Sequence, residues 1–332
     1  MALYTPLAPD ELISVAARFG LPPPERFVAE PKGSVNTNYH VWSGGRRFFL
    51  RLNEGKSDGD VTFEASVVCF LEACAYPAAR LLLAVDGQSH VRVRGRQAMM
   101  FAFVPGEELA REAVGVEHVR RIGEVLGWLH QVTVGFTGSR GNPYGPERVG
   151  PWIDELEPDG GGDEAVAEAL PMLHDEFRRS SGFPAAPRGL VHGDLFVDNV
   201  LWRGGEVSAV LDWEMSCVDA LAYDLAVAVN AWCYTDRFQP ERCRALLDGY
   251  RARREIDLAT AEALYPYSRY VALRYTASRI HAFHLAELGE DRLAWKDWSR
   301  YRDRLRALRD MGEGGFARLA AGLPPGEGQG KG

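Results

Sequence analysis

The sequence predicts an α+β protein with a small strand-rich N-terminal lobe and a larger helical C-terminal lobe. Three observations support this. The 332 residues are enough for about two domains, most of the strand-like apolar runs lie in the first 104 residues, and apolar residues mainly follow a helical period afterwards. Pro105-Gly106 separates the two patterns, so we expect lobes over 1–104 and 105–322. The Gly- and Pro-rich end, 323–332, is expected to be a disordered tail.

The N-terminal lobe begins with an expected helix and then changes to strands. Gly44-Gly45 lies between two alternating apolar runs, which is typical of a β-hairpin. A second helix is expected to end before Pro77, because proline cannot continue it. The expected helices cover 9–20 and 61–75, and the expected strands cover 39–42, 48–52, 79–85 and 91–104.

The C-terminal lobe is expected to be mainly helical with a few short strands. Apolar residues recur at helical spacing over 117–132. Further helices are predicted at 152–156, at 163–179 and over most of the chain after Asp219, with strands at 189–192, 200–202 and 207–211.

Composition excludes several classes of protein. The chain has 38 basic and 46 acidic side chains and therefore a net charge of −8. This acidic balance argues against a protein that binds nucleic acids or anionic membranes in general, because such binding needs a basic surface. No apolar run approaches the ~20 residues of a membrane span, and residues 1–10 lack the pattern of a signal peptide. The five cysteines form no C-x-x-C pair, so neither a disulfide framework nor a zinc cluster is expected. We expect a cytoplasmic protein, while the sequence leaves its oligomeric state open.

The densest group of polar residues is His192-Gly193-Asp194-Leu195-Phe196-Val197-Asp198-Asn199, followed by Asp212 after a short hairpin that turns at Gly204-Gly205. The hairpin should bring Asn199 and Asp212 side by side. Amide and carboxylate oxygens suit Mg²⁺, and phosphoryl transfer needs metal ligands together with a carboxylate that orients the attacking hydroxyl. The alternative is structural: His192 and Asp194 cap a turn, and Asp212 ends a strand.

This His-x-Asp-x-x-x-x-Asn…Asp pattern resembles the catalytic loop of the aminoglycoside phosphotransferase superfamily, distant relatives of the protein kinases. The resemblance implies a protein-kinase-like two-lobed fold that uses ATP and Mg²⁺. It also implies that Asp194 is the catalytic base, that His192 braces the loop, and that Asn199 and Asp212 are the metal ligands. Asp224 has the spacing of the family's loop-anchoring acid, although a helix cap is the alternative.

The same resemblance implies nucleotide-binding residues in the N-terminal lobe. A loop at 33–39 is expected to cover the phosphates, Arg51 replaces the usual lysine and pairs with Glu64, and 99–104 resembles the hinge that holds adenine. The alternative for the loop at 33–39 is an ordinary turn. Arg51 could instead be an exposed strand residue unrelated to Glu64, and 99–104 could be an edge strand. The candidate residues are Gly33, Asn36, Thr37, Asn38, Arg51, Glu64, Met100, Phe101 and Phe103.

Four runs resemble the type II homoserine kinases. Residues 33–39 are similar to their "GxxNTNY", 219–233 to their "YDLAVxVNxWC", 272–279 to their "ALRFxxSR" and 296–297 to their "KD". After Asp212 the chain departs from the family's "FxFAC" run. The resemblance implies transfer of the γ-phosphoryl group of ATP to L-homoserine, which gives O-phospho-L-homoserine for threonine synthesis.

Homoserine carries an ammonium and a carboxylate beside its hydroxyl, so its pocket needs at least one anion and one cation. Glu214 or Asp219 is a candidate for the ammonium, and Arg274 or Arg279 for the carboxylate. Both arginines could instead be structural, paired with Asp224 or helix carbonyls. An aminoglycoside, choline or another amino alcohol remains an alternative acceptor, and a non-catalytic nucleotide-binding pseudokinase is a more distant alternative.

Overall fold

The computed structural model describes residues 5–30, 36–156, 160–180, 182–281 and 297–325. The chain divides into two compact units. The first contains Met1–Glu108, Thr137–Ser139 and Asn199–Glu214, and the second contains the rest. A segment about 90 residues further along the chain thus joins the N-terminal unit. The lobe limits at 104 and 322 stay predictions, and most of the predicted tail, 326–332, lies outside the described residues.

The first unit is built on an antiparallel sheet in the order β1-β2-β3-β6-β4, with β5 paired to β6. Gly44 and Gly45 take φ angles of 58° and 70°, which fits the tight turn predicted between β2 and β3. The elements are α1 (Pro9–Arg18), β1 (Arg26–Ala29), β2 (Thr37–Ser43), β3 (Arg46–Asn53), α2 (Asp58–Ala73), β4 (Leu81–Leu82), β5 (Val91–Val93) and β6 (Arg96–Ala102).

The first unit contains a second sheet, with the strands β7 (Glu107–Glu108), β9 (Val200–Arg203) and β10 (Glu206–Val210). The hairpin β9–β10 comes from the segment Asn199–Glu214, and the strand order is β10-β9-β7. Gly204 and Gly205 have φ angles of 61° and 85°, so the predicted turn between β9 and β10 is confirmed. β8 (Arg188–Val191) instead pairs with β11 (Cys217–Ala220) in the second unit.

Helices form the core of the second unit. Gly123 and Gly249 let two of them approach closely, because a Cβ on either residue would lie about 2 Å from a carbonyl oxygen of the facing helix. The helices are α3 (Val116–Val132), α4 (Pro146–Asp154), α5 (Glu164–Arg179), α6 (Leu221–Trp232), α7 (Pro240–Arg251), α8 (Leu258–Arg279) and α9 (Ser299–Ala320).

The predicted elements differ from the structure mainly at their ends and in the shortest strands. The strand expected over 79–85 is reduced to Leu81–Leu82, and the helix expected at 152–156 starts earlier, at Pro146. Pro146 occupies the first helical position, where a missing N–H costs nothing. Strands β1, β7 and β11 were not predicted, because two to four residues are too few to show an alternating pattern. No helix in the described part of the chain is both long enough and apolar enough to span a bilayer.

Candidate active site

The loop that follows β8 is fixed by one buried carboxylate. Asp224, in the first turn of α6, accepts hydrogen bonds from the backbone N–H of His192 and of Gly193, both over 2.8 Å. Its Oδ2 also lies 3.2 Å from Nε2 of His130. Burial acts to raise the pKa of Asp224, but the hydrogen bond from His130 and the charges nearby bring it below its ordinary value. Asp224 is therefore an ionised anchor for the loop, as the resemblance implied.

The loop also needs a glycine and a buried histidine. Gly193 has a φ of 77°, and a Cβ there would lie 2.9 Å from the carbonyl oxygen of Met215. Glycine is the residue that takes this left-handed conformation without strain. His192 is fully buried, and its Nδ1 accepts a hydrogen bond from the N–H of Asp194 over 3.2 Å. The histidine thus holds the backbone of Asp194, the proposed base.

Asp194 is half-buried at the end of this turn. Its Oδ1 accepts a hydrogen bond from the hydroxyl of Tyr275 over 2.6 Å. Burial raises the pKa of Asp194 above its ordinary value, and the charge of Arg274 and the Tyr275 hydrogen bond offset this only in part. An oriented carboxylate with a raised pKa is suited to accept a proton from a hydroxyl group.

Arg274, on α8 next to Tyr275, is a buried cation that forms no ion pair or hydrogen bond with a carboxylate among the described residues, although the charge of Asp194 acts on it. It is only 2% exposed, and its guanidinium lies over the rings of Tyr275 and Tyr144, at 3.7 and 4.0 Å from their centroids. Its Nε has no hydrogen-bond partner. Within the described ranges Arg274 makes no bond to Asp224 or to a helix carbonyl, which were its expected structural partners. A buried charge is costly unless an anion pairs with it, so this arginine is poised for one.

The other two candidates for substrate contact in this unit already have protein partners. Asp219 accepts hydrogen bonds from Asn142 over 2.7 Å and from Arg188 over 3.0 Å. Arg279 is half-buried and donates to the carbonyl of Asp297 over 3.2 Å. Arg279 thus has a structural partner, although this is a carbonyl just before α9 and neither Asp224 nor a helix carbonyl, and Asp219 is partly neutralised.

In the first unit, Arg51 of β3 and Glu64 of α2 form a buried ion pair. Nη2 of Arg51 donates to Oε1 of Glu64 over 2.5 Å, and the arginine is 7% exposed. Its Nη1 lies 3.8 Å from Oδ1 of Asp212. Although burial opposes its charge, these acids raise the pKa of Arg51 above its ordinary value. Arg51 is therefore a fixed cation of the unit and not an exposed strand residue.

Lys56, which the sequence analysis missed, completes this group. Its Nζ bonds to the carboxylate of Glu214 and lies 3.8 Å from Oε2 of Glu64. Glu214 also accepts a hydrogen bond from Nδ2 of Asn36 over 2.9 Å. A candidate for the acceptor's ammonium thus already pairs with a lysine of its own unit. Lys56 could have been singled out in the sequence because lysine is rare in this chain. Only four of the 38 basic residues are lysines.

Asn199 and Asp212 are brought together as predicted by the β9–β10 hairpin. The N–H of Leu211 donates to the carbonyl of Asn199 over 2.8 Å at the open end of the hairpin. Asp212 has a φ of 61°, a strained conformation that in proteins clusters at functional sites.

The oxygens of this pair fit Mg²⁺. Oδ1 of Asp212 is buried without a hydrogen-bond partner, and burial together with the charge of Glu214 raises the pKa of Asp212, which a bound cation would reverse. Nowhere in the described ranges do three or more His, Cys, Asp or Glu side chains converge as a metal site. Two oxygen ligands are enough for Mg²⁺, which keeps waters and binds substrate phosphates.

The expected phosphate-covering loop is described only in part, because Gly33 lies outside the described residues. Asn36 accepts a hydrogen bond from the N–H of Glu54 over 3.2 Å, and Thr37 donates to the carboxylate of Glu54 over 3.0 Å. Asn38 differs, since its Oδ1 is buried without a hydrogen-bond partner. Asn36 and Thr37 therefore hold the start of β2 in place.

The predicted adenine-binding segment lies in and after β6. Met100 is fully buried and pairs with Leu50 of β3 and Leu82 of β4. β6 is therefore an interior strand and not an edge strand, and its backbone groups are used by the sheet. Phe101 lies below the guanidinium of Arg51 at 5.3 Å, while Phe103 follows the strand and donates its N–H to the carbonyl of Arg47 over 3.2 Å.

Known proteins resemble this chain over most of its length. Homoserine kinase from Phenylobacterium zucineum is 31% identical over 297 residues, which is 87% of this chain and 90% of that protein. Homoserine kinase from Granulibacter bethesdensis is 31% identical over 291 residues, 84% of this chain and 88% of that protein. The expected similarity to homoserine kinases is thus confirmed.

Solved structures confirm the expected protein-kinase-like fold. An amicoumacin kinase aligns with a TM-score of 0.69 at 16% identity and covers 95% of this chain and 94% of its own. A spectinomycin phosphotransferase aligns with the same TM-score and identity over 92% of this chain and 99% of its own. At these identities the likeness concerns the fold alone.

The model of the family described as "Phosphotransferase enzyme family" matches residues 29–256. This range begins before β2 and contains both the His192–Asn199 loop and Asp212. It covers more than two thirds of the sequence, and the chain belongs to this phosphotransferase family.

Proposed function

We propose that this protein transfers the γ-phosphoryl group of ATP to the hydroxyl of L-homoserine, giving O-phospho-L-homoserine and ADP. The observation that carries the proposal is the pair formed by Asp194 and Arg274. Asp194 is a carboxylate suited to accept a proton, Arg274 is a buried cation that forms no ion pair among the described residues, and both contact Tyr275. The homoserine kinases similar over 84–87% of the chain support the same acceptor.

In this proposal Asp194 orients the hydroxyl of homoserine and takes its proton. The hydroxyl oxygen bonds to the γ-phosphorus as the bond from that phosphorus to the bridging oxygen breaks, and the electron pair leaves with ADP. Asn199 and Asp212 hold Mg²⁺, which neutralises charge on the phosphates. Arg51 and Lys56 add positive charge for the same phosphates, each fixed by a glutamate.

Arg274 receives the carboxylate of homoserine through a forked pair of hydrogen bonds. Asp219 is the better candidate for the ammonium than Glu214, because it belongs to the same unit as Arg274. Both acids already have a cation, Arg188 for Asp219 and Lys56 for Glu214. Tyr223 and Tyr270 are each influenced electrostatically by both Arg274 and Asp219. The cation and the anion therefore share tyrosine neighbours, which supports a common pocket for the two charges of a zwitterion.

The acceptor distinguishes this proposal from its nearest alternatives. Choline and simple amino alcohols lack a carboxylate and would leave Arg274 without a partner, and aminoglycosides carry several cations but no anion. A role in threonine synthesis and a cytoplasmic location follow from the proposed reaction and stay predictions with it.

An acceptor panel tests the proposal. ADP release is measured with ATP and Mg²⁺ in the presence of L-homoserine, L-threonine, L-serine, choline or kanamycin, and the phosphorylated product is identified by ³¹P NMR. We expect homoserine to be preferred over every other acceptor. Turnover with another acceptor alone would keep the phosphotransferase and discard homoserine, whereas nucleotide binding without any turnover would support the pseudokinase.

A further inference from the structure

A cavity of about 240 Å³ lies in the second unit, and the charged side chains that line it are four arginines and one acid. We call it the arginine pocket. Its charged side chains are Arg111, Arg242, Arg300, Arg304 and Glu112, a formal charge of +3 in a chain whose net charge is −8. None of its lining residues is among the candidate catalytic, metal, nucleotide or substrate residues.

The arginines are not neutralised by the protein around them. Among the described residues, none of the four forms an ion pair with a carboxylate. Arg242 is instead held by backbone carbonyls, of Trp232 over 3.4 Å and of Val114 over 2.6 Å. Carbonyl contacts orient a guanidinium without removing its charge, so the pocket keeps a positive potential.

Arg304 shows most clearly that the pocket lacks an anion. It is 3% exposed, and its Nε and Nη1 donate to the carbonyls of Asn230 and Arg300 over 2.9 and 2.6 Å. Burial and the neighbouring Arg300 lower the pKa of Arg304 below its ordinary value. Its Nη2 makes no hydrogen bond within the described part of the chain. The rings of Tyr234 and Tyr301, at 4.4 and 4.5 Å, offset part of this cost. A buried guanidinium beside another cation still becomes more favourable when an oxyanion binds.

The wall of the pocket continues into the catalytic loop. Val197 lines the pocket three residues after Asp194, and so does Trp232, whose Nε1 donates to the carbonyl of Leu195 over 2.8 Å. A ligand in the pocket would therefore lie against the segment that follows the proposed base.

We propose that the arginine pocket binds a small molecule through its oxyanion, a phosphate or a carboxylate group. The cavity is smaller than the ~300–1,000 Å³ typical of drug-sized ligands, which favours an anion of the size of phosphate or a small carboxylic acid. Guanidinium groups bind both kinds of oxyanion through forked hydrogen bonds. The proposal is independent of the acceptor and of the proposed reaction.

Calorimetric titration without nucleotide tests the proposal, with inorganic phosphate in one arm and acetate in the other, at constant ionic strength. The variants are Arg300→Glu and Arg111→Glu, since both side chains are exposed and lie on different elements. Arg203→Glu is the matched control. It reverses the charge of an exposed arginine at the turn of the β9–β10 hairpin, which forms no ion pair among the described residues. We expect the dissociation constant of the preferred anion to rise by at least about tenfold in both pocket variants and to stay within about twofold in the control.

The relative affinities of the two anions identify the chemical group that the pocket prefers. No binding of either anion by the folded wild-type protein would overturn the proposal. A dissociation constant that is unchanged in both pocket variants would also overturn it, because the anion would then bind elsewhere. Slower amide hydrogen exchange over 195–198 on binding, in the wild type and not in Arg300→Glu, would show that the pocket is coupled to the catalytic loop, and unchanged exchange would contradict that coupling.

Discussion

The hydroxyl of Tyr275 donates a 2.6 Å hydrogen bond to Oδ1 of Asp194. The neighbouring Arg274 stacks on the ring of the same tyrosine at 3.7 Å. One turn of α8 therefore both orients the proposed base and carries the cation proposed to hold the acceptor. Variants of Tyr275 and of Arg274 test these two functions in turn, although the charge of Arg274 also acts on Asp194.

Tyr275→Phe tests the orientation of Asp194. The hydrogen bond lowers the pKa of Asp194, so its loss should move the acid limb of the kcat profile to higher pH. A hydrogen bond to a charged group is worth about 1.5–3 kcal/mol, and we expect kcat to fall by about tenfold or more. Tyr265→Phe, which removes a hydroxyl bonded to Leu308, is the control. An unshifted acid limb in Tyr275→Phe would refute the role of this hydroxyl.

Arg274→Ala tests recognition of the acceptor's carboxylate. Charge-assisted forked pairs are strong, so we expect KM for L-homoserine to rise by about a hundredfold with little change in KM for ATP. The wild type should prefer L-homoserine to 3-amino-1-propanol, which lacks the carboxylate, and this preference should collapse in the variant. A preference that survives would mean that Arg274 is structural.

Asp224→Asn tests the anchor of the loop. An amide offers one accepting oxygen where the carboxylate offers two, so we expect a loss of about 2–4 kcal/mol in the free energy of unfolding. Because the pKa of Asp224 is lower in the folded protein than in the unfolded chain, its contribution is present above about pH 4 and is lost as the pH falls through the folded value. Urea unfolding at pH 6 and pH 3.5 should therefore show a smaller difference between wild type and variant at the lower pH. A difference that grows at low pH would contradict this.

Gly193→Ala tests the conformation of the loop. Both the positive φ and the contact with the Met215 carbonyl oppose a Cβ, so we expect a stability loss of about 1–3 kcal/mol and a strong loss of turnover. Gly204→Ala is a matched control, because it also has a positive φ but nothing within 4 Å of its Cβ. It should lose about 1 kcal/mol and keep its activity. Equal activity losses would mean that close packing against Met215 is unimportant.

Lys56→Ala tests whether this lysine binds phosphate or only pairs with Glu214. We expect KM for ATP to rise by about five- to tenfold, with a loss of stability from the unpaired glutamate. The double variant Lys56→Ala/Glu214→Gln removes both charges and should recover stability. If it also recovers the affinity for ATP, Lys56 is structural.

The sequence predicts much of this fold because several signals are local. Paired glycines mark the turns at 44–45 and 204–205, and apolar spacing marks α1 and α3. The loop at 192–199 could be selected as a candidate catalytic loop because its polar residues lie within eight positions and Asp212 follows one hairpin later. Arg51 and Glu64 could be paired because a strand and the next helix carry them.

The surroundings of each side chain could not be predicted. Arg274 is stacked on Tyr144, which is 130 positions away, and Glu214 pairs with Lys56 at a separation of 158 residues. Such contacts depend on how helices and loops pack. The two residues of each pair have no fixed spacing in the sequence that would reveal the contact. The arginine pocket was missed for the same reason, because its four arginines come from three distant segments.

Homoserine-dependent release of ADP by the wild-type protein and by Asp194→Asn tests the central claim most directly. The asparagine keeps the size of the side chain and an acceptor for Tyr275 but is not a base. We predict homoserine-dependent turnover by the wild type and a loss of about a thousandfold or more in the variant, with ATP binding retained. No homoserine-dependent release by the folded wild type, or full activity in Asp194→Asn, would contradict the account.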